Sequence, residues 1–336
     1  MTDADGGAPP LGLLQLLNGY QQTCVLIAAF RLGIFDKLSA GAKTCADLAA
    51  ETGAQPAMLE RLVRALVGLR LVKEDDRVLS LPAYIRPILD SWRDVAVLID
   101  TQYLPAWHAL AESVVSGEPA FDRVFGTNVW RHREENSEIN RAFNSFGRQL
   151  RNHRALLDAY DFSRFATIAD IGGGHGELVA GILKRHPEVR GMLFDQPHVL
   201  EHAKVWIEEA GVATRCTLHS GSFFDNVPAG ADLYILQHVL HDWSDEHCRT
   251  ILRKCREAMG PEGTLLIIEK VVPEENPPLN LIMLDLHMMA VLGGQERTLH
   301  EYEKLLSEAG LVVGAFHASP AAARDIIECI VGAARS

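Results

Sequence analysis

The chain has 336 residues, of which 48% are hydrophobic and 23% charged, ordinary globular values that exclude a wholly disordered protein. Its net charge of −12 disfavours nucleic acid or an anionic membrane as the main partner, because both repel an acidic protein. The first ten residues, MTDADGGAPP, lack the basic start and apolar core of a secretory signal. No stretch reaches the ~18 apolar residues of a transmembrane helix. Six scattered cysteines without a CxxC pair indicate reduced thiols, so we expect a cytoplasmic protein.

Residues 1–110 are predicted to form a mostly helical domain with a winged-helix layout. Apolar residues in Gln55–Leu69 recur at the spacing of one buried helical face. Thr44 and Asp47 form a T-x-x-D start signal for a shorter helix before it. After it, residues 71–81 are typical of a two-stranded ribbon around an acidic turn.

A winged helix often binds DNA, and a DNA-binding domain should carry an excess of positive charge. Residues 1–100 hold 10 Lys/Arg and 12 Asp/Glu, and the tip of the predicted wing is acidic. Phosphate binding needs the opposite sign, so a packing or dimerising role is favoured. The long apolar stretches Leu11–Leu17 and Cys24–Leu32 need more cover than one chain supplies, which indicates a homodimer formed through this domain.

Residues 111–164 are predicted to be a helical connector that contributes to a substrate pocket, and residues 165–336 to be a catalytic domain of alternating strands and helices. Strands are predicted at Thr167–Asp170, Gly191–Phe194, Cys216–Ser220, Asp232–Gln237, Thr264–Glu269, Val312–His317 and Asp325–Val331. The intervening helices include Gly176–Arg185, Pro197–Ala210, Asp245–Met259 and Leu299–Ala309. This alternation predicts the α/β class, with a parallel, doubly wound sheet whose ligand crevice lies at the carboxyl ends of the strands.

The most specific motif is Asp170-Ile171-Gly172-Gly173-Gly174-His175-Gly176, directly after the first of these strands. A dinucleotide fingerprint G-x-G-x-x-G starting at Gly172 would need a glycine where Glu177 stands, so that pattern fails. Glycines at a strand-to-helix turn let free N–H groups approach a carboxylate. Asp195, at the end of the second strand, can accept hydrogen bonds from both ribose hydroxyls. The two features together suit a nucleoside that carries a carboxylate tail and no pyrophosphate.

With these residues the chain resembles the class I S-adenosylmethionine-dependent methyltransferases, and among them the small-molecule O-methyltransferases related to plant caffeate and flavonoid enzymes. Four further motifs agree in order and spacing with that family. They are Phe194-Asp195-Gln196-Pro197-His198-Val199, Gly221-Ser222-Phe223-Phe224, His241-Asp242-Trp243-Ser244-Asp245-Glu246 and Gly293-Gly294-Gln295-Glu296-Arg297-Thr298. The resemblance implies a Rossmann-like methyltransferase domain and an N-terminal winged-helix dimerisation domain.

The resemblance also implies which residues hold S-adenosylmethionine. Asp170, Gly172 and Gly174 belong to the loop around its methionine end, and Asp195 meets the ribose hydroxyls. Gln196, Ser222 and Phe223 are placed along the adenine, and Gln237 near the cofactor carboxylate. Two of these positions depart from the plant pattern, because Ser222 replaces an aspartate and Gln237 replaces a lysine.

The family's general base corresponds to His241, which takes the proton from an aromatic hydroxyl as the oxygen attacks the sulfonium methyl. A phenol titrates near ~10 and a free histidine near ~6.5, so the transfer is uphill unless a negative neighbour raises the proton affinity of the imidazole. The resemblance supplies Glu269 and Glu296 for this purpose.

The acceptor pocket is predicted from Asp242 and from the methionine-rich stretch 285–291. Methionines adapt to flat rings, although at helical spacing they suit a plain core equally well. The candidate contacts in this stretch are Asp285, His287, Met288 and Met289. Trp107, Trp130, Phe143 and Phe146 are further candidates for the walls, and no metal is expected despite the H-x-x-H pair at His238 and His241.

We therefore predict an O-methyltransferase of antibiotic-type secondary metabolism that acts on a planar aromatic metabolite such as a phenazine, polyketide, quinone or phenylpropanoid. Methyl transfer to a nitrogen of an aromatic heterocycle is the nearest alternative. A non-enzymatic winged-helix regulator and a nicotinamide oxidoreductase are weaker alternatives, which the acidic charge and Glu177 disfavour, respectively.

Overall fold

The computed structural model describes residues 12–150, 153–319 and 324–332. The chain divides into two compact units, one made of Met1–Leu104 with Asn136–Phe146 and the other of Pro105–Glu135 with Gly147–Ser336. The sequence prediction about a signal in MTDADGGAPP concerns residues that lie outside the described ranges. No helix in the described ranges is long and apolar enough to cross a membrane.

Apart from the helical residues 137–146, the helices of the first unit lie before residue 104. They are α1 (Leu13–Leu17), α2 (Gly19–Arg31), α3 (Ile34–Ser39), α4 (Cys45–Thr52), α5 (Pro56–Gly68) and α6 (Leu89–Leu98), followed by a π-helical turn at Ile99–Tyr103. The strands of this unit are β1 (Lys43–Thr44), β2 (Lys73–Asp75) and β3 (Val78–Ser80).

The predicted helix–turn–helix and ribbon are present in this unit. Thr44 and Asp47 form a reciprocal capping box that starts α4, and Gly53 ends that helix with a left-handed φ of 67°. The buried face of α5 is formed by Leu59, Val63 and Leu66, as the spacing predicts. β2 and β3 pair antiparallel as expected, but the turn between them is Asp76–Arg77, because Glu74 and Asp75 pair with β3 as part of β2. The sequence pattern did not show β1, which pairs with β3 as a third strand.

The remaining elements follow from residue 104 onward. The helices are α7 (Leu104–His108), α8 (Leu110–Ser116), α9 (Ala120–Phe125), α10 (Val129–Glu135), α11 (Ser137–Leu150), α12 (His153–Ala159), α13 (Glu177–Arg185), α14 (Pro197–Glu209), α15 (Asp245–Ala258), α16 (Leu279–Val291) and α17 (Leu299–Glu308). The strands are β4 (Thr167–Ile171), β5 (Arg190–Asp195), β6 (Cys216–Ser220), β7 (Leu233–Gln237), β8 (Thr264–Glu269), β9 (Val271–Val272), β10 (Arg297–Thr298), β11 (Leu311–His317) and β12 (Asp325–Val331).

Seven of these strands form one sheet in the order β11-β12-β8-β7-β4-β5-β6. The five strands from β8 to β6 pair parallel, which is the doubly wound arrangement expected from the alternation of strands and helices. The prediction of an all-parallel sheet is wrong at its end, because β12 runs antiparallel to both β8 and β11. The connection between β11 and β12 is shorter than the dozen or more residues that a parallel crossover requires, so these strands form an antiparallel pair.

The centre of the sheet is buried on both faces, and the ends of its strands place the functional side chains. Every residue of β7 and β8 is buried, which matches the continuous apolar run typical of a central parallel strand. Two apolar clusters form the core, one containing Tyr234 and Tyr302 and the other Ile168 and Leu193. Because parallel strands end at the same edge, the residues that follow β4, β5, β7 and β8 converge there.

Candidate active site

The glycine loop after β4 is held close to the end of β5. The N–H groups of Gly172 and Gly174 donate to Phe194 O and Asp195 Oδ2, both at 2.8 Å. Both glycines have left-handed φ values, 70° and 62°, which non-glycine residues adopt only at a cost. Asp170, predicted to precede this loop, is buried at the end of β4. The loop and Asp195 therefore form one rigid unit.

The residues predicted to follow the adenine lie beside that unit. Asp195 Oδ1 accepts the backbone N–H of Gln196 at 2.7 Å. Ser222 Oγ accepts the N–H of Phe224 at 3.2 Å, so Ser222 supports a turn in addition to any contact with a ligand. The ring of Phe223 packs against Gly172, where an added β-carbon would be 3.5 Å from Phe223 Cε1.

Gln237 ends β7 and is buried, with 6% of its surface exposed. Its side-chain oxygen lies 3.3 Å from His153 Nε2. Since an amide oxygen only accepts, His153 donates in this bond and the amide N–H groups of Gln237 keep the donor role expected toward a carboxylate.

His241 follows β7 in a short 3₁₀ turn and is surrounded by carboxylates. Its Nδ1 lies 2.9 Å from Glu296 Oε1 and 3.8 Å from Glu269 Oε2, and its Nε2 lies 3.4 Å from Asp242 Oδ1. The side chains of both glutamates are fully buried, and that of His241 is 13% exposed. The structure thus brings together the three residues predicted for proton transfer.

Hydrogen bonds hold both the N–H and the carbonyl groups of the turn that contains His241. Glu269 Oε1 accepts the N–H groups of Val239 and Leu240, each at 3.0 Å, and that of His241 at 3.4 Å. Arg297 Nη1 donates to Leu240 O and Nη2 to Trp243 O, both at 2.9 Å. Arg297 was not among the site residues predicted from the sequence, although it stands next to Glu296 in the GGQERT motif.

His238 extends this network behind Glu269. Its Nδ1 lies 3.6 Å from Glu269 Oε2, and its Nε2 is in hydrogen-bonding contact with Arg324 Nε. A guanidinium only donates, so Nε2 is the acceptor and the neutral ring carries its proton on Nδ1, facing Glu269. The side chains of His238, His241 and Glu269 each offer a ligand atom within 4.8 Å of the others, yet this tautomer leaves His238 Nδ1 protonated and unsuited to a metal. The absence of a metal stays a prediction.

The carboxylates around His241 change its proton affinity. Burial lowers the pKa of His241, but the charges of Glu269, Asp242 and Glu296 outweigh that effect and raise it to about 10. For the carboxyl group of Glu269 burial acts in the other direction and raises the pKa to about 7, although the charge of His241 opposes this rise. At neutral pH the site therefore holds an imidazolium, and its proton affinity is far above that of free histidine.

The residues predicted for the acceptor pocket have different environments. Asp285 Oδ1 accepts the backbone N–H of Glu296 at 2.9 Å, so Asp285 supports the residue that holds His241. Met288 is buried and 5% exposed, whereas Met289 is half-buried. His287 Nδ1 lies 3.1 Å from Trp107 Nε1. Contact of these residues with a methyl acceptor stays a prediction.

An aromatic cluster continues from His241. Trp243 stacks on Trp130, with ring centroids 5.9 Å apart, and meets Phe224 edge-on at 4.8 Å. The guanidinium group of the buried Arg133 packs over the ring of Trp130, with its central carbon 5.3 Å from the ring centroid. Trp130 was a sequence candidate, but its stack on Trp243 depends on a contact between segments far apart in the sequence.

The sheet, the glycine loop and the histidine among buried carboxylates define a class I S-adenosylmethionine-dependent methyltransferase. The chain belongs to the O-methyltransferase family: residues 107–312 match the O-methyltransferase domain, and residues 14–84 match the O-methyltransferase dimerisation domain. It is an S-adenosylmethionine-dependent O-methyltransferase, so the resemblance seen in the sequence is confirmed and the oxidoreductase and non-enzymatic alternatives are removed.

Relatives and solved structures of this family span nearly the whole chain. The phenazine O-methyltransferase PhzM of Lysobacter antibioticus is 41% identical over 91% of this chain and 93% of that protein. The 8-amino-8-demethylriboflavin N,N-dimethyltransferase of Streptomyces davaonensis is 35% identical over 87% of each chain. The O-methyltransferase NcsB1 from neocarzinostatin biosynthesis, solved with S-adenosylmethionine and 2-hydroxy-5-methyl naphthoic acid, has a TM-score of 0.84, 30% identity and coverage of 96% and 100%.

The residues around the glycine loop fit S-adenosylmethionine. A β-carbon at Gly172 would lie 3.0 Å from Val239 Cγ2, so only a glycine keeps this cradle open. The carboxylate of Asp195 offers acceptors for hydroxyl groups, and Phe223 offers an apolar face. The bound group supplies an electrophilic methyl on a sulfonium.

Proposed function

We propose that this enzyme methylates a hydroxyl of a planar aromatic metabolite, with His241 as the general base. The observation that carries the proposal is the 2.9 Å contact between His241 Nδ1 and the buried Glu296, which leaves Nε2 as the nitrogen that exchanges a proton with the acceptor. Glu269 and Arg297 act as positioning residues, because they hold the backbone on which His241 is mounted.

The proton affinity of the site suits a phenolic acceptor. The pKa of His241 is raised to about 10, and a phenol titrates near ~10. A phenol beside a neutral imidazole and a phenolate beside an imidazolium then have similar free energies. The acceptor oxygen gains nucleophilic character at little energetic cost, and Asp242 beside Nε2 stabilises the imidazolium that forms.

Replacing Glu296 by glutamine tests how this proton affinity arises. With a phenol of ordinary pKa, log kcat/KM of the native enzyme is expected to rise with pH and level off near pH 10, since one proton must leave the imidazolium–phenol pair. Glu296→Gln keeps an acceptor for Nδ1 but removes a negative charge. The pKa of His241 is then lower, because one of the three negative charges that raise it is gone, so the levelling occurs at lower pH and at a lower rate.

The measurement is kcat/KM as a function of pH for both proteins. Glu303→Gln serves as the control, because the side chain of Glu303 on α17 is 51% exposed and lies 3.7 Å from the exposed His300, far along the chain from His241. A levelling pH that is the same in Glu296→Gln and in the native enzyme contradicts the proposed role of Glu296.

In this proposal the cofactor is held by the residues that surround the glycine loop. Gly172 and Gly174 leave room for its methionine end, and Asp195 accepts from its ribose hydroxyls. Gln196, Ser222 and Phe223 flank the adenine, and the carboxyl group of Asp170 lies beside Gly173 of the loop. Gln237 donates an uncharged hydrogen bond to the cofactor carboxylate, where plant members of the family use a lysine.

Methyl transfer to nitrogen is a second candidate function. It is favoured by the 35% identity to a relative whose name describes N,N-dimethylation of an aminoriboflavin. An amine with an available lone pair needs no base before attack. Substrates of the two kinds would therefore differ in their dependence on His241.

The proposal also includes a homodimeric state and a division of the chain into three regions. Residues 14–84 match a dimerisation domain, and Leu13, Leu14, Leu16 and Leu17 expose between 55% and 71% of their surface. We infer a homodimer through the predicted domain 1–110, with 111–164 as a connector and 165–336 as the catalytic part. Sedimentation equilibrium tests this, and a mass equal to the single chain's 37.0 kDa would contradict it.

The function itself is tested by incubating the enzyme with methyl-labelled S-adenosylmethionine and a panel of aromatic acceptors. The panel pairs each hydroxylated ring, including phenazines, naphthoates and quinones, with its amino analogue. Mass analysis of the products gives the atom that was methylated. Labelled ethers without labelled amines support the proposal, and labelled amines alone favour the second candidate.

A further inference from the structure

The two oxygens of the buried Glu269 carboxylate have different surroundings. Oε1 accepts the three N–H groups of the turn that contains His241, whereas Oε2 is buried and accepts no hydrogen bond from the part of the chain that the structure describes. Two imidazole nitrogens face Oε2, Nδ1 of His238 at 3.6 Å and Nδ1 of His241 at 3.8 Å. A buried carboxylate stays ionised only if nearby charges or dipoles compensate its lost hydration. Both rings are in position to do this at Oε2.

The contact with Arg324 decides what His238 offers to Glu269. Arg324 Nε donates to His238 Nε2, so the neutral ring carries its proton on Nδ1 and directs that N–H at Oε2. A second proton on this ring would lie on Nε2, directly against the guanidinium group. The distance of 3.6 Å is longer than a hydrogen bond, yet in a buried site the dipole of an N–H still stabilises a carboxylate charge. His238 is therefore a neutral ring with its positive end toward Glu269.

The antiparallel strand β12 brings Arg324 to this position. Asp325 at the start of β12 pairs with Glu269 at the end of β8, and Arg324 immediately precedes Asp325. The carboxylate of Asp325 accepts the N–H groups of Ser319 and Val271, both at 3.2 Å, and so fixes the backbone next to Arg324. Arg324 is only 7% exposed, so solvent screens its charge poorly.

The backbone of His238 is also unusual. Its φ of 54° lies in the left-handed region, which a residue other than glycine adopts at a cost. Its N–H nevertheless donates to Ile268 O at 3.2 Å, which keeps the residue attached to β8 beside Glu269. The rings of His238 and His241 have centroids 5.1 Å apart, on the same carboxylate. A strained backbone that brings a ring to a buried charge indicates a functional constraint.

We propose that His238, oriented by Arg324, is a positioning residue that keeps Glu269 ionised beside the protonated His241. The inference rests on the proposed role of His241 as the general base and adds to it the residues that maintain its negative neighbour. With Glu269 ionised, the imidazole has a high affinity for the phenolic proton. With Glu269 protonated, that affinity falls and the acceptor oxygen is less activated.

Ionisable groups on the neighbouring elements also face Glu269 or His241. Among the described residues these are Asp242 in the turn itself, Glu296 before β10, His287 on α16 and Tyr302 on α17. Burial and the charge of Glu269 raise the pKa of Tyr302 well above its usual value, so its phenol stays neutral. None of these groups is altered by a substitution at position 238, so a difference between such variants reports on His238.

The first test measures the protonation of Glu269 directly, by carbon NMR of protein that is isotopically labelled at the glutamate carboxyl carbon and saturated with S-adenosylhomocysteine. The resonance of Glu269 is assigned by its absence in Glu269→Gln, and its midpoint is expected near pH 7 in the native protein. In His238→Phe the midpoint should rise by about one pH unit, because the charged form loses a stabilising dipole. His238→Asn should stay near the native midpoint, since its amide N–H replaces Nδ1–H and asparagine tolerates the left-handed backbone. His300→Phe is the matched control, with a histidine that is 79% exposed.

The second test is the pH dependence of kcat/KM with a phenol. A rise of about one unit in the midpoint removes most of the ionised Glu269 at about pH 6 and almost none at about pH 9. His238→Phe should therefore lose about tenfold more activity at the lower pH than at the higher one. A merely structural role would lower the activity equally at both values.

Nitrogen NMR of the His238 ring in the native protein, assigned by its loss in His238→Asn, should show the proton on Nδ1. A proton on Nε2 alone overturns the inference, and so does an unchanged midpoint of Glu269 in His238→Phe. Methylation of a phenol at the native rate by His241→Ala would refute the proposed function instead. The titration of Glu269 would still decide the role of His238, so the two failures are distinguishable.

Discussion

Replacing His241 by alanine is expected to lower kcat for a phenolic acceptor by roughly 10²–10⁴-fold, the usual contribution of a positioned general base. Residual turnover should remain above that in buffer, because alignment of two bound reactants supplies roughly 7–11 kcal/mol without a base. Binding of S-adenosylhomocysteine should persist, since the glycine loop is held by Phe194 and Asp195 and not by His241.

One further variant and a chemical rescue separate the loss of the base from a loss of folding in this experiment. His241→Ala leaves Glu269 and Glu296 buried without their cationic partner, which destabilises the fold in addition to removing the base. The double variant His241→Ala/Glu296→Gln removes one of these charges and should recover stability without recovering rate. Added imidazole should restore part of the rate if the missing group is a base. Turnover of a phenol by His241→Ala at the native rate would refute the assignment.

Introducing one methyl group at Gly294 is expected to cost as much activity as removing the base. A β-carbon there would lie 2.0 Å from His241 O and 2.6 Å from the carbonyl carbon of Asp242, which are backbone atoms that cannot rotate away. Gly294→Ala must therefore displace either the GGQERT loop or the turn that carries His241. Since misplacement by about 1 Å can cost 10²-fold in rate, we expect kcat/KM to fall by at least about 10²-fold.

The control for this prediction is Gly260→Ala, because an added β-carbon at Gly260 meets nothing within 4 Å. Steady-state kinetics and thermal unfolding of both variants are the measurements. Gly294→Ala should also have a lower Tm, whereas Gly260→Ala should keep native values of both quantities. Native kinetics in Gly294→Ala would show that the approach of the two loops is not required for catalysis.

Much of the fold could be predicted from local sequence. The predicted strands Cys216–Ser220, Thr264–Glu269 and Asp325–Val331 have the bounds that the structure gives. The last two contain apolar runs, which predict buried strands from local sequence alone. The capping boxes at Thr44 and Thr298 were also predictable, since both of their hydrogen bonds lie within four residues of sequence. The direction of a strand depends on its partners in the sheet and cannot be predicted from local sequence. The antiparallel direction of β12 was therefore missed.

For the active site, the sequence by itself indicated which residues are candidates for binding and catalysis. The ordered motifs resemble those of the family because each is a contiguous stretch, and this resemblance implied the cofactor and the candidate roles of His241, Glu269 and Glu296. Periodicity also separated the first domain from the α/β part, and the charge count argued against DNA.

Only the tertiary structure decided how those residues act on one another. The contacts of Arg297 with Leu240 and of Trp107 with His287 join segments 57 and 180 residues apart, and no local pattern encodes them. The same is true of the pKa of His241, which depends on the balance between burial and three carboxylates, two of which, Glu269 and Glu296, come from separate chain segments. Proton affinity and tautomer are set by what surrounds a side chain in space, and that is established only when the sheet has folded.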